Sequence, residues 1–164
     1  MELPKRKANR LAEYDYSAPG AYFITFCTKD KACILWDTVG ASIARPKKVP
    51  LSAYGMIVDE AVRQIPMRYP VISLDQYVVM PNHVHLLLQI HTDIHGQRLE
   101  APSVSMVIQQ LKGAVTKRIG YSIWQKLFHD HVIRNERDYQ EIWKYIDNNP
   151  VLWEKDCFYQ EGSV

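Results

Sequence analysis

The chain has 164 residues, 47% of them hydrophobic and 23% charged, with a formal net charge of +2. That is enough apolar material for one packed core, and no apolar run reaches the roughly 20 residues of a membrane span. The basic start MELPKRKANR leads into no hydrophobic segment, which argues against a secretory leader. The three cysteines, Cys27, Cys33 and Cys157, form no C-x-x-C pair. A reduced, cytoplasmic protein with buried thiols is the expectation.

In chain order, residues 1–13 read as a basic arm carrying Lys5, Arg6, Lys7 and Arg10. AYFITFCT (21–28) is aromatic and β-branched and reads as a strand, with ACILW (32–36) as its hairpin partner. GASIARPKKVP (40–50) reads as a loop with a second basic cluster, Arg45, Lys47 and Lys48. From Leu51 to Ile65 apolar residues recur at helical spacing, and Pro66 and Pro70 close that helix. Residues 71–79 and 83–91 read as strands around the turn signal MPN. A polar loop follows, then a helix from Ser103 that Gly120 stops. This helix carries Lys112, Lys117 and Arg118. KLFHDHVIR (126–134) reads as a strand and 136–149 as a last helix, closed by Pro150.

This order predicts a single α+β domain over 1–164 with a C-terminal tail at 151–164. Its plan is a ferredoxin-like βαββαβ core, a mostly antiparallel sheet with two helices on one face. The last helix or a ligand would meet the other face. The basic clusters suit phosphate groups, and they equally suit solvated surface.

Two histidines stand in VVMPNHVHLLLQI. Residues two apart in a strand share a face, so His83 and His85 project together while Val84 points back. Such a pair is either structural or an open metal site, since two imidazoles leave most of a coordination shell free. A histidine-triad nucleotide hydrolase would need a third histidine where Leu87 stands. A structural zinc site would need more cysteine or histidine at ligand spacing. His129 and His131 form a second same-face pair that could join the first or belong to the surface.

On the last helix Tyr139, Ile142, Trp143 and Ile146 share one stripe, the expected buried side. Tyr145 falls off that stripe, with Asn149 one turn further on nearly the same side. A tyrosine that reaches a metal site is a candidate nucleophile toward phosphorus, and a tyrosine on a helix flank is the plainer alternative. The chain contains no GxxxxGK[ST] phosphate loop.

Together, MPNHVHLLL and the late KYIDNNP resemble the single-tyrosine HUH transposases: the small insertion-sequence transposases and the REP-associated tyrosine transposases. The resemblance runs from about Tyr14 to Pro150. It implies a ferredoxin-like fold, often dimeric, and a divalent ion, Mg²⁺ or Mn²⁺, held by His83 and His85. It implies single-stranded, hairpin-containing DNA as partner and Tyr145 as the nucleophile that forms a 5′-phosphotyrosine and frees a 3′-OH. Many relatives carry glutamine four residues after the tyrosine as a metal ligand, and here that position is Asn149. Lys5, Arg6, Lys7, Arg10, Lys112, Lys117 and Arg118 are the candidate DNA contacts. Two rival functions share these residues: a nucleic-acid-binding module without cleavage, and a metal-dependent phosphodiesterase that uses water.

Overall fold

A computed structural model describes residues 10–37 and 50–158. Four strands form one antiparallel sheet: β1 (Gly20–Cys27), β2 (Ile72–Val79), β3 (His83–Ile90) and β4 (His129–Ile133), in the order β2-β3-β1-β4. The helices are α1 (Ala53–Arg63), the short α2 (Ile65–Arg68), α3 (Val104–Ile119) and α4 (Glu136–Asn148). This is the expected ferredoxin-like plan.

Strand alternation divides the sheet into two faces. Tyr22, Ile24, Phe26, Val84, Leu86, Leu88 and Ile90 are buried against Val58 and Val62 of α1 and Val107, Ile108, Leu111 and Val115 of α3. The opposite face offers Leu87 and Val78, which pack under Ile146 of α4, with Phe23, Ile142 and Trp143 at the margin. A bulge between Leu74 and Gln76 frees Asp75 from the β2 ladder. Its Oδ2 accepts a 2.8 Å hydrogen bond from the Tyr139 hydroxyl, so α4 is tied to the edge strand at a half-buried tyrosine.

Local chemistry sets the helix ends. The side chains of Ser52, Ser103 and Asn135 accept from backbone N–H groups of the first turns of α1, α3 and α4, which satisfies donors the helix leaves free. Gly120 closes α3 in the left-handed region at φ 97°. Gly55 lets α1 approach the 34–36 segment, where an added Cβ would stand 2.0 Å from the Leu35 carbonyl oxygen.

Three expectations need correction. Residues 32–36 form no strand. A 3₁₀ turn covers Lys29–Lys31, and Trp36 makes only an isolated bridge to Leu51. Leu35 is fully buried and hydrogen-bonds through its backbone to Pro81 and Ser52, so the apolar run is a plug that anchors α1. Pro66 does not end the helical region but sits in the first turn of α2, where its missing N–H costs nothing. Of the cysteines only Cys27 is buried, Cys33 is half-buried and Cys157 is exposed.

Candidate active site

His83 and His85 lie on the sheet face covered by α4, not on the α1–α3 face. Both are buried, at 0% and 1% exposure. Two buried imidazoles are costly unless their nitrogens are satisfied, and here each is. His83 Nδ1 lies 2.8 Å from Asn82 Oδ1. The Asn82 amide is fixed the other way round by its Nδ2, which donates to the carbonyls of Phe158 (2.9 Å) and Lys31 (3.3 Å). Asn82 Oδ1 can only accept, so Nδ1 of His83 carries the proton and Nε2 presents a lone pair. His85 Nδ1 lies 2.7 Å from the Thr25 hydroxyl of β1, its cross-strand neighbour.

The two Nε2 atoms face each other at 3.0 Å. With His83 Nε2 bare, the proton between them belongs to His85, and Thr25 donates to His85 Nδ1. Thr25 can also accept. If His85 shifts its proton to Nδ1, both Nε2 lone pairs converge on one point. Burial pushes both imidazoles down to about 3, and for His85 the neighbouring His83 adds to the effect. The pair is therefore neutral at ordinary pH, the form that binds metal.

α4 brings two further groups over this pair. The Tyr145 ring stands 5.2 Å from the His85 ring and packs edge-on against Phe23 at 6.1 Å. Tyr145 is 41% exposed, whereas Asn149 is 3% exposed. Despite the following proline, Asn149 keeps helical backbone angles, φ −57° and ψ −43°. Its amide does not cap the helix but turns into the site, where it influences both His83 and Tyr145.

The sequence did not reveal the last member. Beyond Pro150 the tail turns back, and Asp156 enters the site with its side chain shielded from solvent. Its Oδ2 accepts from Asn149 Nδ2 at 2.7 Å and from the Tyr145 hydroxyl at 3.4 Å, and it lies 3.8 Å from His83 Nε2. Phe158 covers the His83 ring at 4.5 Å. Burial and then the Asp156 charge push the Tyr145 phenol up to about 12. No spacing rule points to Asp156, because its contact with the histidines is made only through the folded tail.

The donors suit a divalent ion. Ligand atoms of His83, His85 and Asp156 all lie within 4.8 Å of one another. Two nitrogens each about 2.1 Å from an ion and at right angles would be about 3.0 Å apart, the spacing the imidazoles already have. Asn149 Oδ1 is buried with no hydrogen-bond partner, an arrangement that buried polar atoms rarely keep without a ligand or water.

The other candidate residues are not gathered here. Lys112, Lys117 and Arg118 belong to α3, on the opposite layer. The Lys112 ammonium donates to the carbonyls of Gln125 and Leu127, Arg118 pairs with Glu60, and Lys117 is exposed. Lys112 thus ties α3 to the loop before β4. Lys5, Arg6, Lys7, Arg45, Lys47 and Lys48 lie outside the described residues. Arg10 lies over the Phe128 ring at 4.5 Å. His129 shares the site face beside Thr25, and His131 pairs with Asp138 at 2.7 Å.

No protein-family model matches the chain. A Haemophilus influenzae protein of uncharacterised function is 30% identical, over 94% of this chain and 93% of its own length. A second protein of that organism, provisionally named a REP-associated tyrosine transposase, is 26% identical over 84% of this chain and 73% of its own. A solved REP-associated tyrosine transposase bound to a REP hairpin superposes with a TM-score of 0.62 at 24% identity, covering 86% of this chain and 73% of that one. The chain belongs to one family with the first Haemophilus protein, and in sequence and fold it resembles the REP-associated tyrosine transposases.

Proposed function

We propose that this protein is a transposase that nicks and rejoins single-stranded DNA beside a hairpin through a covalent tyrosine ester. Tyr145 is the nucleophile, and His83, His85 and Asn149 hold a divalent ion, Mg²⁺ or Mn²⁺. One observation carries the reading: a tyrosine hydroxyl and a buried amide both donate to a single anionic oxygen, Asp156 Oδ2, which stands 3.8 Å from the lone pair of His83 Nε2. A phosphate oxygen placed there would meet the same two donors, and an ion held by the histidines would lie beside it.

In the reaction the bond from Tyr145 Oη to phosphorus forms as the bond from phosphorus to the 3′ oxygen breaks. The phenol gives up its proton, and the 3′ oxygen leaves as a hydroxyl once it has gained one. The ester keeps the phosphodiester's energy, so the reverse attack by a 3′-OH can join strands without a nucleotide cofactor. The ion, when bound, would polarise the phosphate and offset charge on the phenolate. Asn82 holds His83 with its Nε2 lone pair toward the site, and Thr25 would accept from His85 Nδ1 once that ring turns its Nε2 lone pair to the ion, as outer partners of metal ligands do. With the tail in place the phenol stays protonated and the phosphate position is filled, so DNA entry requires the 150–158 segment to move.

That covered site would equally serve a DNA-binding protein without cleavage. The two readings separate when the protein is incubated with end-labelled hairpin DNA and Mg²⁺ or Mn²⁺ and run on a denaturing gel. A protein-linked label is expected. Binding with intact DNA would overturn the nuclease reading, and cleavage without a linked label would transfer the chemistry to water.

A further inference from the structure

A further charge, the ammonium of Lys31, stands beside the histidine pair. Its effect reaches His83, whose imidazole is lowered first by burial and then by Lys31, against the Asn149 amide. Lys31 is half-buried and forms no ion pair among the described residues. Its Nζ rests on the Phe158 ring, 5.4 Å from the centroid, and the same ring covers His83 at 4.5 Å. A phenyl face is a weak partner for a cation. This ring also belongs to the tail that must move before DNA can enter.

The turn that carries Lys31 is built to hold it there. Asp30 and Lys31 both have left-handed backbone, at φ 55° and 53°. Aspartate adopts that region more readily than lysine, which keeps it only where contacts hold it. The Lys31 N–H donates to the Thr28 carbonyl at 3.1 Å, and the Lys31 carbonyl accepts from Asn82 Nδ2 at 3.3 Å. The Asn82 carbonyl in turn accepts from the N–H and the hydroxyl of Thr28, at 2.9 and 3.1 Å. Asn82 is also the residue whose Oδ1 fixes the His83 tautomer. One buried side chain therefore positions both a candidate metal ligand and the turn that carries a cation. A lysine that only met solvent would need neither the left-handed turn nor the shared anchor.

Attack on phosphorus creates a demand for such a charge. As the Tyr145 oxygen bonds to phosphorus and the 3′ oxygen parts from it, negative charge gathers on the non-bridging oxygens. The two histidines are neutral, and Lys112, Lys117 and Arg118 belong to α3 on the other layer. Positive charge fixed where negative charge develops is a large source of rate enhancement. Resting on the function proposed above, we infer that Lys31 is a catalytic residue of that reaction: once Phe158 withdraws with the tail, its ammonium exchanges the ring for a non-bridging oxygen of the scissile phosphate. Nζ keeps its protons throughout, so Lys31 serves by charge and not by proton transfer.

The test uses the full chain, hairpin DNA and Mn²⁺, and compares the wild type with Lys31→Met and Lys31→Arg. Lys31→Met keeps the length of the side chain without its charge and should form the Tyr145 ester about a hundredfold more slowly. Lys31→Arg should recover most of the rate. Binding is read separately in the Tyr145→Phe background, where no ester forms. There Lys31→Met should lower the salt dependence of binding by about one phosphate contact. It should leave that dependence unchanged for DNA whose scissile linkage is an uncharged methylphosphonate. A merely structural lysine would change both DNAs alike, and that result overturns the assignment. An ester rate in Lys31→Met equal to wild type, or Lys31→Arg as slow as Lys31→Met, also overturns it. If Lys31→Met does not fold, Lys31→Gln takes its place with the same readouts. If the wild type forms the ester and Lys31→Met matches it, only this inference falls. If the wild type forms no ester, the functional reading falls with it.

Discussion

The two faces of the sheet are built from the same strands and are filled by different rules. On the α1–α3 face every inward residue of β3 is aliphatic, Val84, Leu86, Leu88 and Ile90, and all are buried. On the α4 face β3 presents His83, His85 and Leu87, equally buried. Fully burying an aliphatic side chain stabilises by about 1.5–3 kcal/mol, whereas a buried imidazole must first recover its lost hydration. The protein meets that cost with Asn82 and Thr25, neither of which adds to the apolar core. One face is organised for stability, and the other gives up stability to hold polar groups in a fixed direction.

Tyr145→Phe breaks the comparison most sharply. It removes one hydroxyl on the polar face and should abolish the covalent DNA adduct while leaving thermal unfolding and DNA binding near wild type. Tyr139→Phe should stay active, losing only the hydrogen bond to Asp75, worth about 1 kcal/mol. His83→Ala and His85→Ala should abolish metal-dependent cleavage and the heat of metal binding in calorimetry. Cleavage by either variant in the presence of a chelator would remove the ion from the account.

Leu86→Ala, next to these histidines in sequence but on the other face, should do the reverse. It should cost about 2–5 kcal/mol in denaturant unfolding and leave cleavage per folded molecule unchanged. Thr25→Val should weaken metal binding about tenfold or more, and Thr25→Ser should restore it. Equal behaviour of the two would mean that the hydroxyl does not orient His85. Asn149→Ala should weaken metal activation by a similar factor, with Asn149→Gln keeping part of it. Asp156→Ala should raise the cleavage rate severalfold, because it removes the carboxylate that fills the phosphate position and, after burial, adds to the rise of the phenol. A slower variant would make Asp156 a working ligand instead.

A last effect concerns pH. Both histidines are held near 3 in the folded chain against 6.5 when free, so the unfolded chain binds more protons between those values. Their contribution to stability is therefore complete above about pH 6.5 and is lost as pH falls toward 3. Denaturant midpoints of metal-free protein should fall across that window, and less so in the double variant His83→Ala/His85→Ala.

What could be read from the sequence follows the same division. β2, β3, α3 and α4 were legible because alternation and helical periodicity report burial on one side. The strand reading of 32–36 failed because Cys33-Ile34-Leu35-Trp36 has strand composition but no neighbour to pair with along its length. It is fixed instead by single contacts at Leu35 and Trp36. The histidine pair was visible because polar residues broke an apolar strand. Asn82 and Thr25 act through contacts across the turn and the sheet, which no local pattern records. Asp156 stayed hidden because a carboxylate in a polar tail looks like any solvated one until the tail is folded back.

The most direct measurement maps the covalent link. After incubation with hairpin DNA and Mn²⁺, the adduct is digested with protease and nuclease and the modified peptide is sequenced by mass spectrometry. The account predicts one nucleotide-bearing residue, Tyr145, lost in His83→Ala and without Mn²⁺. A link at Tyr139 or any other residue, or a link at Tyr145 that forms equally without His83, would contradict it.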